Sequence, residues 1–248
     1  MSRPNSTRRA SLAGRRVAIT GGTTGIGRGI AVTLARAGAR VAICGLDDHL
    51  DEALADLRAH DADAWGERLD LAEPEAAGAF VAAAAEQLGG LDAVVANAGR
   101  PAGGLCNMDE ADWRDAVAVN FTSVLATCYH GANAMPQGGD VLITGSMSAH
   151  RPGGGSSVYA SANAGLLVFA EAFRQEMGER GVHVTIIEPG KTGSDLFGDT
   201  YTDEEMRGHI AAGRMLAAED VGRAAAFALT SPPGCVVSGL RLEPRLHV

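Results

Sequence analysis

The chain has 248 residues, 46% hydrophobic and 21% charged, which suits one α/β domain around a single core. A net charge of −9 gives nucleic-acid binding no electrostatic help, and no apolar run reaches the roughly 18 residues needed to span a bilayer. Cys44, Cys106, Cys128 and Cys235 form no C-x-x-C pair and the histidines no H-x-x-x-H, so buried free thiols in a cytoplasmic protein without a metal are expected.

Residues 1–13 are basic but lack the apolar core of a signal peptide, and a disordered tail is expected there. From residue 14 to 248 short apolar runs alternate with Ala-rich stretches. Strands are predicted at 16–20, 40–44, 64–68, 93–96, 140–144, 182–187 and 236–242. Helices are predicted at 27–37, 49–60, 74–88, 110–135, 157–180 and 219–229. This alternation implies a single-domain Rossmann fold, a doubly wound seven-stranded parallel sheet with helices on both faces. Residues 193–213 carry the least pattern and are read as a substrate lid.

Residues 20–27 read TGGTTGIG and lie between the first strand and the first helix. Glycines there allow a tight turn and a close backbone approach to a pyrophosphate, which then sits on the helix N-terminus. Gly21, Thr23, Thr24, Gly25, Ile26 and Gly27 are therefore candidate cofactor contacts.

With the spacing T-G-x-x-x-G-x-G the chain resembles the short-chain dehydrogenase/reductase family, and the resemblance runs from about residue 14 to 244. It implies that Asp70 and Leu71 hold the adenine ring and that Asn97, Ala98 and Gly99, in ANAG, follow the fourth strand beside the cofactor. It places Pro189, Gly190 and Thr192 at the nicotinamide side and Asn120 in the active site. Ser146 and Tyr159, thirteen residues apart, match the family's serine and tyrosine. The tyrosine would move a proton while hydride passes to or from nicotinamide, and the serine would steady the reacting oxygen. Ser148, His150 and Lys191 are candidate substrate contacts, and Lys191 a candidate replacement cation. The C-terminal half, with GSMSAHRP and VTIIEPGKTGSDLF, is similar to the branch that contains clavulanic aldehyde reductase and serine-type hydroxy-acid dehydrogenases. Family resemblance also implies a dimer or tetramer built on the two long helices.

The family's lysine, four residues after the tyrosine, is replaced here by Asn163. Positions i and i+4 share a helix face, so Asn163 points where that lysine would and can reach a ribose hydroxyl, but it brings no charge to lower the phenol pKa. The expected function is an NAD(P)-dependent oxidoreductase acting on a carbonyl or hydroxyl of a small metabolite, with an atypical Ser-Tyr-Asn site. The alternative is non-redox chemistry (elimination, isomerisation or cyclisation) or a nucleotide- or metabolite-binding role on the same scaffold. Between cofactors the residues lean to NAD. The strand-end position that is acidic in NAD-preferring relatives is Gly45, and the positions that are basic in NADP-preferring relatives are Leu46 and Thr24. Asp47 and Asp48 follow and would repel a 2′-phosphate, unless both merely favour the next helix N-terminus.

Overall fold

A computed structural model describes residues 11–60, 63–194 and 200–246. Seven strands are found: β1 (Arg16–Thr20), β2 (Arg40–Gly45), β3 (Trp65–Arg68), β4 (Ala93–Ala96), β5 (Gly139–Thr144), β6 (Val182–Pro189) and β7 (Gly239–Leu242). They form one parallel sheet in the order β3-β2-β1-β4-β5-β6-β7. The central strands are continuous apolar runs such as VAIT and VLIT because helices cover both of their faces.

The helices are α1 (Gly25–Arg36), α2 (Leu50–Arg58), α3 (Ala76–Leu88), α4 (Glu110–Val117), α5 (Ser123–Ala134), α6 (Ser157–Met177), α7 (Asp203–Ala211) and α8 (Ala218–Leu229). One face of the sheet buries Phe80 of α3, Cys128 of α5, and Leu166 and Phe173 of α6 against Val94, Val141 and Val184. The other buries Ile30 and Leu34 of α1, Leu57 of α2 and Val221 of α8 against Val17, Ile19, Val41 and Ile43. Strand order reverses between β1 and β4. The loops after these two strands diverge to opposite faces and open a crevice at the C-terminal edge of the sheet.

Four sequence expectations are corrected. The helix predicted at 110–135 is two helices joined by a π-type turn, Ala118–Thr122, that turns Asn120 into the interior. The segment 193–213 is not irregular throughout, because α7 starts at a capping box in which Thr202 and Glu205 bond each other's main-chain N–H. Residues 195–199 of that segment, like residues 1–10 of the expected tail, lie outside the described residues. Leu12, within the expected tail, is buried in the core beside α1. Of the cysteines, Cys44 and Cys128 are buried, whereas Cys106 and Cys235 are exposed. No helix among the described residues is long and apolar enough to cross a membrane.

At the N-terminal edge of the sheet, opposite the crevice, Arg15 and Asp140 form a buried ion pair at 2.6 Å. The same guanidinium donates to Leu229 O at 2.5 Å and Asp92 O at 3.0 Å, tying α8, β4 and β5 together. Arg15→Ala removes the shorter of the two ion-pair contacts of buried Asp140, leaving His183 at 3.6 Å, and also breaks the ties to Leu229 and Asp92, so it is expected to cost about 3 kcal/mol in urea unfolding. Activity per folded molecule should not change, because the pair lies at the far edge.

Candidate active site

The loop after β1 is built around two glycines. Gly21 has φ +62°, and a Cβ on Gly27 would sit 1.9 Å from the Gly21 carbonyl. Asn97, just past β4, pins this loop. Its side-chain amide donates to Thr20 O at 3.2 Å and Gly21 O at 3.1 Å, and its main-chain N–H donates to Thr20 Oγ1 at 3.0 Å. Thr24 occupies the N-cap of α1 without making a side-chain cap bond, and no acid stands in the first turn. The N-terminal N–H groups of α1 therefore face the crevice available to an anion.

The crevice has a volume of about 470 Å³. It is lined by the glycine loop, by Leu46 and Asp47 after β2, by Asp70 and Leu71 after β3, and by Asn97, Ala98 and Gly99 after β4. At this end the structure explains the missing acid at position 45: a Cβ there would lie 2.2 Å from Thr23 Oγ1. Both nearby carboxylates are engaged. Asp47 accepts from Thr23 Oγ1 at 2.8 Å and from His49 N at 3.0 Å. Asp48 is ion-paired with Arg68, whose Nε donates to Leu46 O at 2.7 Å. Asp70 accepts from Ala72 N at 2.9 Å, which fixes the turn after β3.

At the other end Tyr159 and Asn163 of α6 line the crevice with Thr144 and Gly145, which follow the apolar run of β5. Ser146 comes next, and its Oγ accepts from Ser148 N at 3.1 Å. The Tyr159 hydroxyl interacts with the side chains of Ser146 and Asn163. Burial raises the phenol pKa, and the neighbouring Ser146 and Asn163 side chains only partly offset it. Asn163 is 5% exposed, and its Nδ2 donates to Tyr159 O at 3.0 Å, which sets the plane of the amide. Asn120 clasps the main chain after β4, accepting from Arg100 N at 2.7 Å and donating to Arg100 O at 3.0 Å. The hydroxyls of Thr144 and Ser148 are buried without a hydrogen-bond partner among the described residues.

Other sequence candidates lie around this end. Pro189 and Gly190 close β6, where Gly190 N donates to Leu242 O at 2.7 Å. Thr192 Oγ1 donates to Gly190 O at 3.0 Å, and neighbouring Ser194 lines the crevice. His150 Nε2 meets the Glu188 carboxylate at 2.5 Å. Lys191, the sole lysine of the chain, donates to the Tyr201 hydroxyl at 2.7 Å and is not among the groups acting on the Tyr159 phenol. It supplies no replacement charge in this structure.

Residues 15–205 match the family model described as short chain dehydrogenase. The chain belongs to the short-chain dehydrogenase/reductase family. This dehydrogenase/reductase is 29% identical over 236 residues to the 3-oxoacyl-acyl-carrier-protein reductase FabG of Escherichia coli K12, covering 93% of the chain and 95% of FabG. Among solved structures it is similar to a short chain dehydrogenase from Burkholderia cenocepacia J2315 in complex with NADP, at 31% identity and TM-score 0.83, with 94% and 98% of the two chains covered. A dehydrogenase/reductase from Sinorhizobium meliloti 1021 is also similar, at 29% identity and TM-score 0.84, with 95% and 96% covered. The protein is thus an oxidoreductase of the type that acts on CH–OH or C=O groups with NAD(P). Its residues fit the cofactor: the glycine cradle leaves no room for side chains, the α1 N-terminus is uncapped, and unpartnered hydroxyls wait at the chemical end.

The sequence missed four groups at or beside this site: Arg100 and Asp115, which line the crevice as an ion pair, Thr144 at its floor, and Glu188. Thr144 alone had a legible signal, its place two residues before Ser146 at a strand end.

Proposed function

We propose that this dehydrogenase/reductase reduces the carbonyl of a small metabolite with NADPH, using Tyr159 as the acid, Ser146 at the reacting oxygen and Asn163 at the cofactor ribose. One observation carries the reading: Tyr159 and Asn163 line a glycine-rimmed crevice, Ser146 neighbours the phenol, and no cation among the described residues acts on it. The bound nicotinamide supplies the hydride. Tyr159, kept neutral by burial, donates its proton to the carbonyl oxygen. Ser146 donates a hydrogen bond to the same oxygen as charge develops. Asn163 offers an amide to the ribose, and Asn120 keeps the strand-end backbone in place. Ser148 and Lys191 form the substrate side of this reading, and His150, paired with Glu188, stands behind them. A neutral phenol suits reduction better than alcohol oxidation, which needs phenolate.

NADPH is preferred to NADH in this reading because a guanidinium stands at the adenosine end. Asp48 is ion-paired with Arg68, and Asp47 accepts from the neutral Thr23 hydroxyl. Arg68 reaches the Leu46 carbonyl and brings a guanidinium to the adenosine end, where it can meet a 2′-phosphate. The NADP complex of the Burkholderia relative agrees with this choice. A homo-oligomer belongs to the same reading, since Tyr129 on α5 and Val168 on α6 are exposed apolar side chains.

The test joins binding to turnover. Fluorescence titration is expected to show NADPH binding at least about ten-fold tighter than NADH, with the margin lost in Arg68→Met. Absorbance at 340 nm is then followed against a panel of aldehydes and ketones. Failure to bind either reduced cofactor would refute the reading.

A further inference from the structure

Glu188 is the last side chain of β6 before Pro189, and it is 3% exposed. A buried carboxylate is costly unless it is paired, and an apolar residue would fill the same space more cheaply. Its two oxygens have separate partners: Oε1 meets His150 Nε2 at 2.5 Å, and Oε2 accepts from Arg241 Nε at 3.3 Å. The Arg241 side chain is mostly exposed, so its contact is the more screened of the two.

The placement of Glu188 links the two ends of the reacting site. Gly145 N donates to Ile187 O at 2.7 Å, and a Cβ on Gly145 would lie 3.6 Å from Glu188 Cγ, so Glu188 stands directly beside the residue that precedes Ser146. Ser146 then caps a short 3₁₀ turn, Met147–Ala149, which His150 closes by donating its N–H to Met147 O at 3.0 Å. The turn is thus held at its start by β5 and at its end by Glu188. Next to His150, Arg151 pairs with Glu243 beyond β7, a more exposed second tie. The main chain of Glu188 runs directly into Pro189–Gly190.

We infer that Glu188, acting through His150, is a positioning residue that holds the Ser146 turn in register with the Pro189–Gly190 turn. The inference rests on the reductase reading above. Because a carboxylate only accepts, the His150 nitrogen facing Glu188 must carry hydrogen. That fixes the orientation of the ring and the end of the turn. Neither residue need touch substrate for this role. It predicts that the pair acts as one unit on the chemical step and leaves the adenosine end of the crevice alone.

The experiment compares wild type with Glu188→Leu, Glu188→Gln, His150→Leu and the double leucine variant. It uses NADPH and a carbonyl substrate taken from the panel, and it measures kcat, KM, NADPH affinity and Tm. The expected result is a drop of about 10–100-fold in kcat for each leucine variant, with NADPH affinity held within about two-fold. The double variant should fall no further than the worse single one. Glu188→Gln, which keeps an acceptor for the imidazole, should recover most of the rate. Unchanged kcat in the leucine variants, whatever their Tm, would overturn the inference. So would additive losses, or no recovery in Glu188→Gln. If Glu188→Leu does not fold, His150→Leu at the partly exposed end of the pair decides. A wild type that binds no cofactor refutes the reductase reading and this inference together, whereas an active wild type with unaffected variants refutes this inference alone.

Discussion

Tyr159→Phe is expected to lower kcat for carbonyl reduction by about 10²–10⁴-fold, the range for removing a positioned general acid. The substitution deletes one oxygen and leaves the ring, so packing on α6 should persist. The glycine loop, Asn97 and the adenosine end do not contact this hydroxyl, and NADPH affinity should stay within about two-fold. The pH dependence follows from the raised phenol pKa. Reduction uses the protonated phenol, which is present throughout the neutral range, so its rate should be flat there and fall only as alkaline pH removes the proton. Oxidation uses the phenolate and should climb over the same alkaline range. Steady-state kinetics in both directions checks this. An oxidation rate that reaches its plateau below pH 7 would contradict the assignment.

Asn163→Lys should act most strongly on the oxidation direction. The side chain at 163 lies on the same face of α6 as Tyr159, one turn along, and is almost fully buried. A cation there favours phenolate and opposes the effect of burial. Alcohol oxidation near neutral pH is expected to rise by about 10–100-fold, with its alkaline limb displaced to lower pH. Carbonyl reduction should change by only a few-fold, because the neutral acid is already abundant. The substitution also removes the Asn163 bond to the Tyr159 carbonyl, so thermal unfolding must accompany the kinetics. A pH–rate profile identical to wild type, in a folded variant that binds NADPH, would show that charge at 163 does not govern this phenol.

These two predictions rest on features of different origin. That Tyr159 and Asn163 share a face follows from their spacing on a helix, and the helix follows from its Ala-rich sequence. The same is true of the glycine loop: TGGTTGIG after a β-branched strand demands a tight turn whoever its neighbours are. The central strands were legible because they are buried on both faces and so read as unbroken apolar runs, whereas the edge strands WGER and GLRL are partly exposed. The capping box of α7 was legible too, as Thr202 followed by Glu205, but it was hidden within a segment otherwise short of pattern.

What the sequence determined by itself was therefore local: the order of the strands and most of the helices, the phosphate loop, and the absence of a lysine beside the tyrosine. What only the tertiary structure decided depends on partners far apart in the chain. The π-type turn at Asn120 meets the backbone of Arg100, twenty residues away. Arg68, twenty residues along the chain, pairs with Asp48, and Thr23 bonds Asp47 across the crevice end. The single lysine turns to Tyr201 rather than to Tyr159, and Glu188 meets His150 across adjacent strand ends. A side chain's spacing along one element fixes its direction, whereas its charge balance depends on which distant groups the folded sheet brings beside it.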